Sequence, residues 1–180
     1  MSRQYWVAPL PPFHTADGTA YTGTAALGDL SPAPPLVIPA NLLEVGSRLE
    51  FQAFGRYTST ATPGTVTVGL YLGPPATAIT SVTAVAVTAA LTVQASQTNR
   101  SWRVEGNGSI RAIGSGTAAQ LLALLEVSNI TTNGTDLAPA TAPAVATFDS
   151  TVANSLRIGV NPSVTTGSWQ LHYLGVRLVN

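Results

Sequence analysis

The stretch TFDSTVANSLRIGV, running from Thr147 to Val160, places an acid, a hydroxyl and an amide close together in Asp149, Ser150 and Asn154. Joined to a histidine, such a set is the raw material of nucleophilic catalysis, in which an imidazole takes the hydroxyl proton and a carboxylate orients the imidazole. The chain has 2 histidines, His14 and His172, so a relay from Ser150 through one of them to Asp149 is the first chemistry to weigh. No nucleophile elbow surrounds Ser150. His172 alternates in phase with Leu174, Val176 and Leu178, the pattern of a packed or interfacial strand residue. A glycosidase-like carboxylate pair can be drawn from Glu50 and Glu105, but both fall on the polar side of alternating segments, where solvated carboxylates ordinarily sit. Metal binding is no better supported, because the histidines lie in different segments and the 8 acids are dispersed.

The residues therefore assign no catalytic, cofactor-binding or metal site, and no enzyme is expected. Asp149 and Ser150 read instead as a corner, since short polar side chains hydrogen-bond nearby backbone N–H groups and shape the entry to a strand. Sequons at Asn99, Asn107, Asn129 and Asn133 read as polar turns rather than glycosylation sites.

The elements that would hold these groups are strands. From Arg48, Leu49, Phe51, Ala53, Gly55 and Tyr57 share one face against Glu50, Gln52, Arg56 and Thr58 on the other, with only Phe54 breaking the alternation. After the turn signal ATPG, Val66, Val68, Leu70 and Leu72 repeat the pattern, which predicts a hairpin with the preceding strand. Trp102, Val104, Ile110 and Ala112 keep one parity across EGNGS, which predicts a single long strand carrying a glycine-rich bulge. In AAQLLALLEV the local propensity favours helix, yet Leu121, Ala123, Leu125 and Val127 alternate, and strand-like neighbours decide for a strand. Leu156, Ile158 and Val160 form another alternating set, and WQLHYLGVRLV closes the chain as a strand. Many strands separated by Gly, Pro and Asn turns predict an all-β fold, an antiparallel, jelly-roll-like β-sandwich over residues 36–180.

Residues 1–35 differ in kind. Pro9, Pro11, Pro12, Pro32, Pro34 and Pro35 disfavour helix or central strand and predict an extended, Pro-rich N-terminal arm. Disordered tails are aromatic-poor, so Tyr5, Trp6, Phe13 and Tyr21 should be covered by the chain's own surface or a neighbour's. Tyr5, Trp6, Pro11, Pro12 and Phe13 are thus the candidate partner-contact residues.

Composition narrows the function classes. In 180 residues, 8 basic and 8 acidic side chains give a formal net charge of +0 and a charged fraction of 9%, and every basic residue is arginine. An ordinary soluble domain carries roughly 25% charged residues. Without a positive field, binding to nucleic acid or to an anionic membrane is disfavoured, whereas self-association meets little Coulomb repulsion. Cysteine is absent, which removes disulfides, thiolate metal sites and thiol nucleophiles together. The N-terminal MSRQYWVAPLPPF has no continuous apolar core of secretory length, so classical secretion is not expected. The apolar run VTAVAVTAALTV is about half of the roughly 20 residues a membrane-spanning helix needs.

Taken together, LEVGSRLEFQAFGRYTST, TVTVGLYLG, SWRVEGNGSIRAIGSG, TFDSTVANSLRIGV and WQLHYLGVRLV resemble the jelly-roll structural proteins of tailed bacteriophages, above all the head decoration, or cement, proteins. The shared pattern is a glycine-preceded Arg-Leu strand, a hairpin ending in Leu-Gly, a Trp-led strand closing on Gly-x-Gly, and a corner before a final hairpin. Here the corner is Asp149, Thr151, Val152, Ala153, Asn154 and Leu156. The resemblance covers about residues 43–179. It implies a virion protein on the outer capsid surface, made in the bacterial host cytoplasm, assembled as a homo-oligomer, most often a trimer, on the lattice of the major capsid protein, with no cofactor. Related sandwiches in phage tails and fibres are the alternative. A carbohydrate-binding module using Trp6, Trp102 or Trp169 as an aromatic platform is a further one.

Overall fold

The computed structural model describes residues 7–9, 16–23, 25–131, 135–138, 145–165 and 167–179. The alternation read from the sequence becomes burial: along the strand from Arg48, Leu49, Phe51, Ala53, Gly55 and Tyr57 are buried while Arg48, Gln52, Phe54 and Arg56 are exposed. Four short strands come first, β1 (Val7–Pro9), β2 (Tyr21–Thr22), β3 (Gly28–Asp29) and β4 (Val37–Ile38). The long β5 (Arg48–Thr58) and β6 (Thr65–Gly73) follow. After a single 3-10 turn at Ile79–Ser81 come β7 (Thr83–Val87), β8 (Leu91–Thr92), β9 (Arg100–Ala112) and β10 (Ala119–Ser128). The chain ends with β11 (Thr135–Ala138), β12 (Ala146–Phe148), β13 (Asn154–Pro162) and β14 (Ser168–Val179).

Among the described residues all strand pairings are antiparallel, and they make two sheets in a sandwich-like all-β fold. The 8-stranded sheet runs β1-β14-β5-β9-β10-β11, with β2 also on β14 and β12 also on β10. The 6-stranded sheet runs β3-β13-β6-β7, with β4 also on β13 and β8 also on β6. Among the described residues every long strand is therefore interior, and each of the four sheet edges is built from two short strands in place of one long one. Short edges offer little unpaired backbone to another chain, a recognised protection against edge-to-edge aggregation. One core fills the space between the sheets, from Leu49, Tyr57, Trp102 and Leu125 on one side to Val68, Leu70, Leu156 and Ile158 on the other.

Two expected hairpins are instead crossings between sheets. β5 pairs with β9 and β14, whereas β6 pairs with β13, β7 and β8, so the ATPG loop carries the chain from one sheet to the other. The connection from β13 to β14 crosses in the same way. The physical reason is that two strands with matching apolar faces can bury them side by side or facing each other, and alternation alone is the same in both cases.

The glycine-rich segment of β9 is also straighter than expected. Its register with β5 and with β10 is continuous through Gly106 and Gly108, and the irregularity falls at Arg111, between the pairs Gln120↔Ala112 and Leu121↔Ile110. The glycines answer to space: a Cβ on Gly106 would lie 2.2 Å from the Leu124 carbonyl oxygen and 2.5 Å from Cζ of Phe51. AAQLLALLEV is a strand as expected, burying Leu121, Ala123, Leu125 and Val127.

The described part of residues 1–35 is built into the sheets. Val7 to Pro9 pairs with Arg177 to Val179, Gly18 N–H donates to the Leu171 carbonyl (2.8 Å), and Tyr21 and Thr22 pair with Trp169 and Ser168. The segment thus runs antiparallel along β14, and Pro9, which lacks a donor, sits in an edge strand where that costs least.

Candidate functional site

The corner at Asp149 is formed where β12 leaves one sheet and β13 enters the other. Asp149 Oδ1 accepts from the Thr151 N–H (2.8 Å) and the Thr151 hydroxyl (2.6 Å), while Oδ2 accepts from the Gly116 N–H (2.8 Å). Ser150 Oγ accepts from the Gly114 N–H (2.9 Å) and donates to the Gly114 carbonyl (3.2 Å). Asn154 Nδ2 donates to the Asp149 carbonyl (2.6 Å) and the Val152 carbonyl (2.9 Å). The Asp149 carboxylate, the Ser150 and Thr151 hydroxyls and the Asn154 amide nitrogen are thus engaged with loop backbone or with a neighbour.

These bonds hold the Asp149 carboxyl below its ordinary pKa, the Thr151 hydroxyl contributing most, then the Gly116 and Thr151 N–H groups. A carboxylate whose pKa is depressed by folding stabilises the fold above its unfolded value, and that contribution disappears as pH falls through the folded value. Asp149→Asn should therefore reduce the drop in melting temperature on acidification below about pH 4. Melting curves of the two proteins across that range check it, and parallel acid limbs would deny the corner this role. Glu50 is depressed in the same way by Arg48 and then Arg177.

The Ser150, Asp149 and His172 set is not brought together. His172 lies at the level of Gly55 and Trp102, where Leu171 faces Gly55, whereas the corner is tied to Gly114 beyond the far end of β9. The stretch of β9 from Trp102 to Ala112 alone spans roughly 30 Å. His14 lies outside the described residues. The in-phase placement of His172 is also corrected: β14 has a register shift between Leu171 and Tyr173, so Trp169 and Leu171 face inward before it and Leu174, Val176 and Leu178 after it. His172 is the extra residue of that bulge, with Nδ1 2.9 Å from Asp17 Oδ2.

Glu50 and Glu105 share the outer face of the larger sheet, where each meets arginine. Arg177 Nε donates to Glu50 Oε2 (2.9 Å), and Gln52 Nε2 donates to Glu105 Oε1 (2.9 Å). Among the described residues no group of three or more His, Asp or Glu is placed to share a metal ion. Of the sequon asparagines, Asn99 (φ 50°) and Asn129 (φ 67°) adopt the left-handed turn conformation, Asn107 lies within β9, and Asn133 is outside the described residues.

The aromatic platform for a glycan is contradicted for two of its three tryptophans. Trp102 and Trp169 are 1% and 3% exposed and belong to the core, edge-on to each other with centroids 5.9 Å apart. Trp6 lies outside the described residues, as do Tyr5, Pro11, Pro12 and Phe13, the other candidate contact residues. Phe54 and Tyr173 are the exposed aromatic pair, but they stack on each other at 5.1 Å and so cover one face of each ring.

Sequence reasoning missed Arg157. Its position is 4% exposed, yet all the guanidinium nitrogens are engaged: Nε donates to Ser155 Oγ (2.6 Å), Nη1 to the Thr77 carbonyl (2.6 Å), and Nη2 to the Pro74 (2.7 Å) and Pro75 (2.8 Å) carbonyls. Asp29 Oδ2 is 3.5 Å from Nη1. The available signal was a lone charge in the otherwise neutral SLRIGV, a segment alternating too well to be a loop. The chain matches no protein-family model and no curated protein sequence.

Proposed function

We propose that this chain is a structural protein of a tailed-phage virion, a jelly-roll-like sandwich that decorates and stabilises the outer capsid surface as an oligomer, without catalysis or cofactor. The observation that carries the reading is the use made of its polar groups. Asp149, Ser150, Asn154 and Arg157 are bound to loop backbone, and Glu50 and Glu105 to neighbouring side chains, so the side chains best suited to chemistry hold shape.

A second support comes from where the resembling stretches lie. TVTVGLYLG is β6, and the other stretches supply β5, β9, β13 and β14, all long interior strands. The resemblance therefore rests on the scaffold of the sandwich. A neutral chain on a repeating lattice needs only modest affinity at each contact, because an oligomer that engages several capsomers at once dissociates slowly. The partners are sister copies and the major capsid protein.

Two outcomes follow. The purified protein should sediment as a trimer at micromolar concentration, and a strictly monomeric species there and on particles would refute the oligomer. Virions whose gene for this chain is deleted should lose regularly spaced protrusions from their heads when imaged beside the parent. Loss of density from the tail in place of the head would overturn capsid placement in favour of a tail or fibre role.

A further inference from the structure

Charge is divided unequally between the two sheets. In the larger sheet β5, β9, β10, β11 and β14 all carry acids or arginines, and Arg48, Arg56, Arg103, Arg111 and Arg177 are exposed. Among the described residues the strands of the smaller sheet carry only Asp29 and Arg157, which face each other at 3.5 Å with the guanidinium buried. No Asp, Glu or Arg occurs from Tyr57 to Asn99 or from Ile158 to Val176, the stretches that make β6, β7, β8, their connections and most of β13.

The outward positions of the smaller sheet follow from its register. A Cβ on Gly69 would meet the ring of Tyr71 at 2.8 Å, so both sit on the outer face. In the same alternation Thr65 and Thr67 lead outward while Val66 and Val68 fill the core. Directly paired residues share a face, which adds Thr92 opposite Thr65, Asn161 opposite Thr67, Val87 opposite Gly69 and Ala84 opposite Tyr71. Ala84, Thr92 and Asn161 are exposed. The rest of this face is roofed by the loop that Arg157 holds, whose exposed Pro74, Ala76, Ala78 and Thr80 are uncharged as well.

We propose that the outer side of the smaller sheet, around Thr67, Ala84 and Thr92, is where sister copies of this chain meet about the axis of their oligomer. Symmetry selects that occupant. Close to a rotation axis each residue meets its own counterparts, so a charge there would face its own sign, and like charges opposed across an interface repel. The outer face of the larger sheet, with its exposed arginines, would bring that repulsion to the axis, whereas the outer side of the smaller sheet brings none. Charge depletion is also the mark of the buried centre of protein–protein interfaces, and alanine loses no rotamer freedom when it is covered. The charged face of the larger sheet is then turned away from the axis. This placement rests on the oligomer proposed above.

The test is sedimentation of the purified full chain over a range of concentrations. The double variant Ala84→Glu, Thr92→Glu puts a carboxylate at two outward positions of the smaller sheet. Its concentration for half-dissociation should rise by about tenfold at low salt and by less at high salt, where repulsion is screened, with the parent's circular dichroism spectrum retained. Ser101→Glu, at an exposed position on the outer face of the larger sheet, should sediment as the parent does. Should the double variant fail to fold, Thr92→Glu alone is used, with about a threefold rise expected. Equal dissociation of the parent and the smaller-sheet variants overturns the contact and leaves the oligomer standing, whereas a monomeric parent overturns both. Smaller-sheet variants that stay assembled but no longer co-sediment with phage heads lacking this protein would make this side a capsid contact, which also overturns the proposal.

Discussion

Replacing Arg157 with methionine should lower the unfolding free energy by about 3–5 kcal/mol, the range expected when one partner of a buried, charge-assisted network is removed. Methionine keeps most of the volume and none of the donors, so the carbonyls of Pro74, Pro75 and Thr77 lose their shared partner. These carbonyls belong to the loop that leads from β6 to β7 and that, through Ile79, covers the outer face of the smaller sheet. There a Cβ on Gly159 would meet Tyr71, Ile79 and Leu27 side-chain atoms at 2.8–2.9 Å, so the loop and the N-terminal segment form a second apolar layer over β13.

Arg157→Lys should recover only part of the loss, because an ammonium is a point donor and cannot span Ser155 and three carbonyls as a planar guanidinium does. Asp29→Asn should cost less than about 1 kcal/mol, since that carboxylate is partly exposed and its ion pair is long. Urea unfolding of the three variants separates the contributions. A methionine variant within about 1 kcal/mol of the parent would mean that the loop simply turns its carbonyls to water.

The contrast between Arg157 and the Asp149 corner shows what was legible in the chain. Short polar residues before an alternating run are a local signal, and the corner's bonds to Thr151 and within 149–154 span a few residues only. The carbonyl partners of Arg157 are 80 to 83 residues away, and nothing local announces them. The same division governs the fold. Which face of β5, β9, β10 and β13 is buried follows from period-2 patterning, because each strand carries that information in itself.

Which strand lies beside which is a property of pairs. For that reason the β5–β6 and β13–β14 crossings were not visible in the alternation. The bulge at His172 is an intermediate case. Trp169 and Leu171 have odd numbers while Leu174, Val176 and Leu178 have even ones, so the change of parity was present in the sequence, and a bulge is the physical means by which a strand changes parity without changing sheets.

Trp102→Ala should cost about 3–5 kcal/mol, through lost apolar burial and the cavity left behind. Trp102 is among the largest fully buried side chains and lies edge-on to Trp169 at 79°, while Trp169 stacks on Tyr57 with centroids 4.8 Å apart. The three rings come from β9, β14 and β5, the neighbouring interior strands of the larger sheet, so their packing fixes those strands against the core. Yet the indole Nε1 of Trp102 is buried without a hydrogen-bond partner among the described residues. An orphaned donor costs about 1–3 kcal/mol. Trp102→Phe therefore surrenders part of the volume but also removes the orphan, and its loss should be about 1–2 kcal/mol, well short of the alanine variant. Urea unfolding followed by near-ultraviolet circular dichroism, which reads the coupled rings directly, measures both. Equal losses for phenylalanine and alanine would mean that the indole nitrogen carries no penalty in the fold, and an alanine variant as stable as the parent would remove Trp102 from the core.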